Sequence, residues 1–147
     1  MPHRTSITKF ALALCTVMLG CGIIASVASA QSLKELRGQE SENAALNREA
    51  AYTQSVCGNS ISASIDWRSA ADWPEDVSIA ASCDGALGAL EAMCRNDASR
   101  PKAQRVIRFI CAGDGSGASL RGGTLRYGAS PGGNGYSDTK VLLESTF

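Results

Sequence analysis

The sequence predicts an α+β fold: a small sheet of three to four strands packed on helices and stabilised by two disulfides. Three observations lead there. The stretch 61–67 alternates strictly between apolar and polar residues and reads as a strand, and the run 77–95 that follows has helical apolar spacing. Four cysteines, Cys57, Cys83, Cys94 and Cys111, lie in the part of the chain expected to be exported.

The expected export rests on the first thirty residues. His3, Arg4 and Lys9 form a basic start, Phe10 to Val27 is apolar, and Ala28-Ser29-Ala30 is a small-x-small cleavage site. Residues 1–30 therefore read as a signal peptide cut near Ala30, giving a secreted or periplasmic chain. The small-residue exit and the lack of a basic stop argue against a transmembrane segment in the mature chain. The competing reading is a lipoprotein anchored at Cys21, because Leu19-Gly20-Cys21 resembles the end of a lipobox. Cleavage removes the only histidine and two of the six cysteines. An even count of cysteines in an oxidising compartment reads as disulfides, and about 117 remaining residues is a size at which such cross-links matter.

Residues 31–55 read as a flexible or helical N-terminal arm. The composition favours helix, but heptads counted from Leu33 put Glu40, Asn43 and Asn47 on the seam where a coiled coil needs apolar residues. A single α+β domain is expected over 56–147. Ile61, Ala63, Ile65 and Trp67 alternate with Ser62, Ser64 and Asp66, so one face of this strand is buried. Pro74-Glu75-Asp76 suits a helix start, and Val77, Ala80, Ala81, Leu87, Leu90 and Met93 share one helical face up to Arg95. Gly85 and Gly88 either weaken this helix or let a neighbour approach closely. After a break at 96–99, Lys102 to Phe109 reads as a short helix passing into a strand that ends at Cys111. Leu120 and Leu125-Arg126-Tyr127 flank Gly122-Gly123 as a β-hairpin, and Ser137-Asp138 is expected to cap a closing helix with Val141, Leu142, Leu143 and Phe147.

Helix geometry constrains the cysteines. Cys83 and Cys94 on one helix are about 16 Å apart along its axis, far beyond the ~7 Å between Cα atoms that a disulfide spans. If the helix packs back along the first strand, its end returns Cys94 towards Cys57, and a parallel second strand ends with Cys111 near Cys83. The favoured pairing is therefore Cys57 to Cys94 and Cys83 to Cys111. An antiparallel second strand would instead place Cys111 beside Cys57.

Several chemistries are excluded by residues that are missing. Without a histidine in the mature chain there is no Cys-His or Ser-His-Asp mechanism, and with oxidised cysteines no ordinary zinc site. Ser116 in GDGSGA misses the nucleophile-elbow pattern, since Asp114 and Ala118 occupy the required glycine positions. The same loop lacks the Lys-Ser/Thr of a phosphate cradle and the spaced oxygen ligands of a calcium loop. No cofactor and no metal is called for. Among the acids Asp66, Asp72, Glu75, Asp76 and Asp84, Asp66 is the candidate ligand-binding or catalytic group, because it is the charged residue on the polar face of the first strand.

Charge is unevenly spread. Residues 31–94 carry 4 basic and 10 acidic side chains, whereas 95–126 carry 7 basic and 2 acidic. This segregation nominates Arg105, Arg108, Arg121 and Arg126 as contacts for an anionic protein, glycan or lipid surface. Export, a slightly acidic mature chain and 5% aromatic residues argue against nucleic acid. The functional expectation is a non-catalytic binding or envelope-associated interaction module. A carboxylate-dependent enzyme acting on a glycan through Asp66, or a purely structural envelope protein, is the alternative.

Overall fold

The fold is α+β, a four-stranded mixed sheet with helices on one face. The computed structural model describes residues 22–147, with side-chain surroundings from Leu33 onward. The basic start, most of the apolar run and Cys21 lie outside the described residues. The elements are α1 (Gly22–Cys57), β1 (Ser62–Asp66), α2 (Ile79–Arg95), α3 (Arg100–Ala103), β2 (Arg108–Ala112), β3 (Gly117–Arg121), β4 (Thr124–Gly128) and α4 (Tyr136–Thr146). The chain divides into two units at Glu35/Leu36, and the whole sheet and all four cysteines of the disulfides belong to the second, Leu36–Phe147.

Strands lie in the order β1-β2-β4-β3. β1, β2 and β4 are mutually parallel, and β3 returns antiparallel against β4 through the Gly122-Gly123 turn. Both turn glycines have positive φ, 54° and 76°, the mirror-turn geometry that suits a two-residue hairpin. The register builds two apolar rows across the sheet: Ala63, Phe109, Leu125 and Leu120, then Ile65, Cys111, Tyr127 and Ala118. These rows pack against α2 and α4, and Phe109, Leu87, Leu90 and Leu125 are fully buried. Each such side chain contributes roughly 1.5–3 kcal/mol of transfer free energy.

The β1–α2–β2 crossover closes the expected cross-links. Cys57 bonds Cys94 with a Cα separation of 4.9 Å, and Cys83 bonds Cys111 at 5.9 Å. The parallel β1/β2 pair on which that pairing depends is present, and all four cysteines are buried.

Two helix starts differ from expectation. Pro74 to Asp76 lie in a turn, closed by the Val77 N–H on the Pro74 carbonyl, and α2 begins at Ile79. Ser78 is its N-cap, accepting from the Ala81 N–H at 3.1 Å. The signal invisible in the local sequence is Glu42, which reaches from α1 to accept from the Ser78 hydroxyl at 2.8 Å and the Ala80 N–H at 2.9 Å. A carboxylate from a distant helix thus neutralises the positive end of α2. Ser137-Asp138 likewise does not cap α4: Gly135, at φ 74°, is the N-cap, the Asn134 side-chain oxygen accepts from the Tyr136 N–H, and Asp138 sits in the first turn.

Gly85 and Gly88 serve close approach and do not break α2. A Cβ on Gly85 would lie 2.2 Å from the Asn134 carbonyl oxygen, so only hydrogen lets the α4 entry segment touch this helix. The last third of α1 also belongs to the core. Leu46, Ala50, Thr53 and Cys57 recur on one helical face and are buried, with the Thr53 hydroxyl donating to Glu91 at 2.9 Å. The compact unit therefore takes in residues that composition alone assigns to the arm.

Candidate functional site

The face of the sheet turned away from α2 and α4 carries a different set of rows. One row is Ser62, Arg108, Thr124 and Arg121; the next is Ser64, Ile110, Arg126 and Ser119; the last is Asp66, Ala112, Gly128 and Gly117. Ser62, Arg108, Ser119 and Arg121 are exposed, and Ser64 is exposed on the outermost strand beside them. Arg108 and Arg121 flank Thr124 on either side, which sets their Cα atoms about 10 Å apart, two strand spacings.

Arg108 opens β2 and Arg121 ends β3, so both stand at the same end of the sheet. α3, which carries Lys102, and the loop from it to β2, which carries Arg105, come to that end. The hairpin turn is fastened there, because the Gly123 carbonyl accepts from the N–H groups of Ile107 at 2.9 Å and Arg108 at 3.2 Å. Lys102 and Arg105 line a cleft of about 360 Å³ together with Val106, Leu120, Gly123 and Phe147. Ile107, an aliphatic side chain 59% exposed, approaches the hairpin turn at Gly123, which lines the cleft.

The salt bridges found among the described residues leave Lys102, Arg105, Arg108 and Arg121 without a carboxylate, whereas Arg95 pairs with Glu91. Arg100 donates to the Cys94 carbonyl at 2.7 Å at the end of α2. The negative end of that helix dipole accounts for Arg95 in its last turn and for Arg100 on its Cys94 carbonyl, an effect that fades beyond the last turn. It does not explain Arg108 and Arg121 on the far side of the sheet.

Arg126 has a different role from the other nominated arginines. Its guanidinium donates to both oxygens of Asp114 and, at 2.8 Å, to the Ser116 hydroxyl, which itself donates to Asp114. The Arg126 hydrogen bond, followed by that of Ser116, holds the Asp114 carboxyl far below the ordinary carboxylate range. The group lies across Gly128, whose Cβ would collide with Asp114 and Ser116 at 2.2 and 2.3 Å. The Gly113–Gly117 loop thus uses its acid and its hydroxyl to neutralise an arginine in the middle of the open face.

Asp66 ends β1 at the opposite end of the sheet from Arg108, roughly 13 Å along the strand. Its backbone carbonyl accepts from the Ser69 N–H and hydroxyl, but its carboxylate makes no hydrogen bond or ion pair among the described residues and lines neither cleft. The exposed Asp72 and Asp76 lie in the loop that follows, which Trp73 and Ser69 dock against Gly113 beyond β2. One end of the sheet is therefore acidic and the other cationic.

A second cleft, about 170 Å³, lies where α1 meets α2 and is lined by Glu49, Ser78 and Asp84 among others. Partial burial, then the neighbouring Asp84 carboxylate, raises the Glu49 pKa. No cluster of three or more His, Cys, Asp or Glu side chains suited to a metal occurs among the described residues.

Of the residues nominated from sequence, Arg105, Arg108 and Arg121 come together, Arg126 is occupied by Asp114, and Asp66 is at the other end. Sequence reasoning does not single out Lys102 or Ile107 as site residues. Lys102 is one cation in a basic run, and Ile107 sits in an undivided apolar stretch that leads into a strand. Comparisons with known proteins add no further constraint: no family model matches the chain, and neither a curated protein nor a solved structure shows significant similarity to it.

Proposed function

We propose that this chain is a non-catalytic binding module, exported with cleavage near Ala30, whose cationic end takes an anionic partner. The observation that carries the reading is the gathering of Lys102, Arg105, Arg108 and Arg121, none with a carboxylate among the described residues, around one end of the sheet. Cations left unpaired at one place set up a local positive field that attracts anions even where the mature chain, with 12 basic and 14 acidic side chains, is slightly acidic overall. The two disulfides support an oxidising compartment, and among the described residues no helix is long and apolar enough to cross a membrane. The carboxylate-enzyme reading draws no support from Asp66, which lines neither cleft.

Retention on a sulfate-bearing resin at low salt tests the proposal. The protein is expected to bind and to elute as salt screens the charges, while R105Q/R108Q/R121Q flows through with its thermal unfolding unchanged. Retention of the triple variant equal to that of the unaltered protein would refute it.

A further inference from the structure

The cationic end is not uniformly polar, and its apolar component narrows the partner. Ile107 is 59% exposed, adjoins Arg108 in the chain, and is fastened by its N–H to the hairpin turn that follows Arg121. Its side chain also approaches Gly123, 3.4 Å from where a Cβ would lie. Beside it, the cleft combines the charges of Lys102 and Arg105 with the half-buried apolar surfaces of Leu120 and Phe147. An acidic polymer such as a sulfated glycan would gain from the four cations but offers nothing apolar to receive the aliphatic side chain held out among them. The interface of an anionic bilayer uses both: headgroup phosphates meet the cations while an apolar side chain enters the acyl boundary.

We infer that the end of the sheet formed by Lys102, Arg105, Ile107, Arg108 and Arg121 docks on an anionic lipid surface, with Ile107 as the inserting residue. This rests on the anion-binding reading above and adds the partner. The cations lie on both sides of the sheet end, Arg108 and Arg121 on the open face and Lys102 and Arg105 at the cleft. The strands therefore meet the bilayer end-on and the acidic end, with Asp66, Asp72 and Asp76, is directed away from it. Each cation near an anionic surface contributes about fivefold in affinity. Insertion of the exposed part of Ile107 contributes about tenfold.

Co-sedimentation of the protein with phosphatidylglycerol/phosphatidylcholine vesicles, with pure phosphatidylcholine vesicles and with dextran sulfate separates the possibilities. Binding is expected to the anionic vesicles and not to the zwitterionic ones, weakened about fivefold by R121Q and about tenfold by I107S. Because Ile107 is exposed, I107S is expected to fold as the unaltered protein does, and its thermal unfolding checks this. Binding to dextran sulfate and vesicles alike, with I107S indistinguishable from the unaltered protein, would overturn the lipid assignment while leaving the anion reading standing. Salt-sensitive self-association without vesicles, lost in R105Q/R108Q/R121Q, would identify a second copy as the occupant and overturn it too. Absence of binding to either probe would overturn both readings.

Discussion

Alanine placed at Gly85 and at Gly88 should have opposite effects, although both glycines lie inside one helix. Intrinsic propensity favours alanine over glycine in a helix interior by about 1 kcal/mol at either position. At Gly88 nothing opposes this gain, since the new Cβ would be 3.7 Å from Tyr136 Cδ2, an ordinary contact. At Gly85 the Cβ would fall 2.2 Å from the Asn134 oxygen and 2.9 Å from both the Asn134 carbonyl carbon and the Tyr136 nitrogen. All three are backbone atoms, so no side chain can swing aside. The segment cannot simply retreat either, because Gly135 sits on the Tyr127 ring, with its own Cβ position only 2.6 Å from ring carbons. Overpacking of this kind costs typically 1–3 kcal/mol and occasionally more. A displacement of about 1 Å in a segment held on both sides belongs at the upper end of that range. The net expectation is a loss of about 2 kcal/mol for G85A, a Tm drop of roughly 8 °C, against a gain of up to about 1 kcal/mol for G88A. Urea unfolding of both variants gives the answer directly. G85A as stable as the unaltered protein, or the two variants shifting together, would refute the packing of α4 against α2.

Three further outcomes are expected from the structure. Removing the first disulfide in C57A/C94A should cost about 4 kcal/mol by loop-closure entropy for a 37-residue separation, seen as a large fall in the urea midpoint; a loss under about 1 kcal/mol would contradict it. Asp114 has a depressed folded pKa, so its contribution is complete above its unfolded value of about 3.8 and is lost as pH falls from there towards the folded pKa. D114N should therefore be destabilised at pH 7 by under about 1 kcal/mol, given its exposure, and its difference from the unaltered protein should narrow steadily as pH falls below about 3.8. Glu49 is the reverse case: its folded pKa is raised, so its stability is fullest below its unfolded value and declines as pH rises through the folded one. E49Q should raise Tm slightly at pH 7 and leave it unchanged at pH 4, with the size limited by solvent because Glu49 is exposed.

Local periodicity made the sheet legible where strands were short and bounded by turn residues. The alternation of Ile61 to Trp67 and the length of the helix favoured the disulfide pairs that the structure shows, through one topological choice, a parallel β1/β2 neighbour, to which an antiparallel one was the alternative. What stayed hidden was tertiary. The start of α2 depends on Glu42, thirty-six residues before Ser78, and no local signal shows that a side chain from another helix will supply the cap. The burial of Leu46 and Ala50 was obscured because only a short stripe of α1 is apolar, and long windows average it away. The cationic end was visible as composition but not as a place. The sequence shows seven basic residues between 95 and 126, and only the fold separates Arg95, Arg100 and Arg126, which have partners, from Lys102, Arg105, Arg108 and Arg121.

The measurement closest to the central claim is an amide NMR titration with monomeric dihexanoyl phosphatidylglycerol, repeated with dihexanoyl phosphatidylcholine. The cationic end as binding surface predicts that resonances of 102–108 and 121–124 shift with the anionic lipid and far less with the zwitterionic one. Shifts centred on Asp66 and the 68–77 loop, or equal responses to the two lipids, would contradict it.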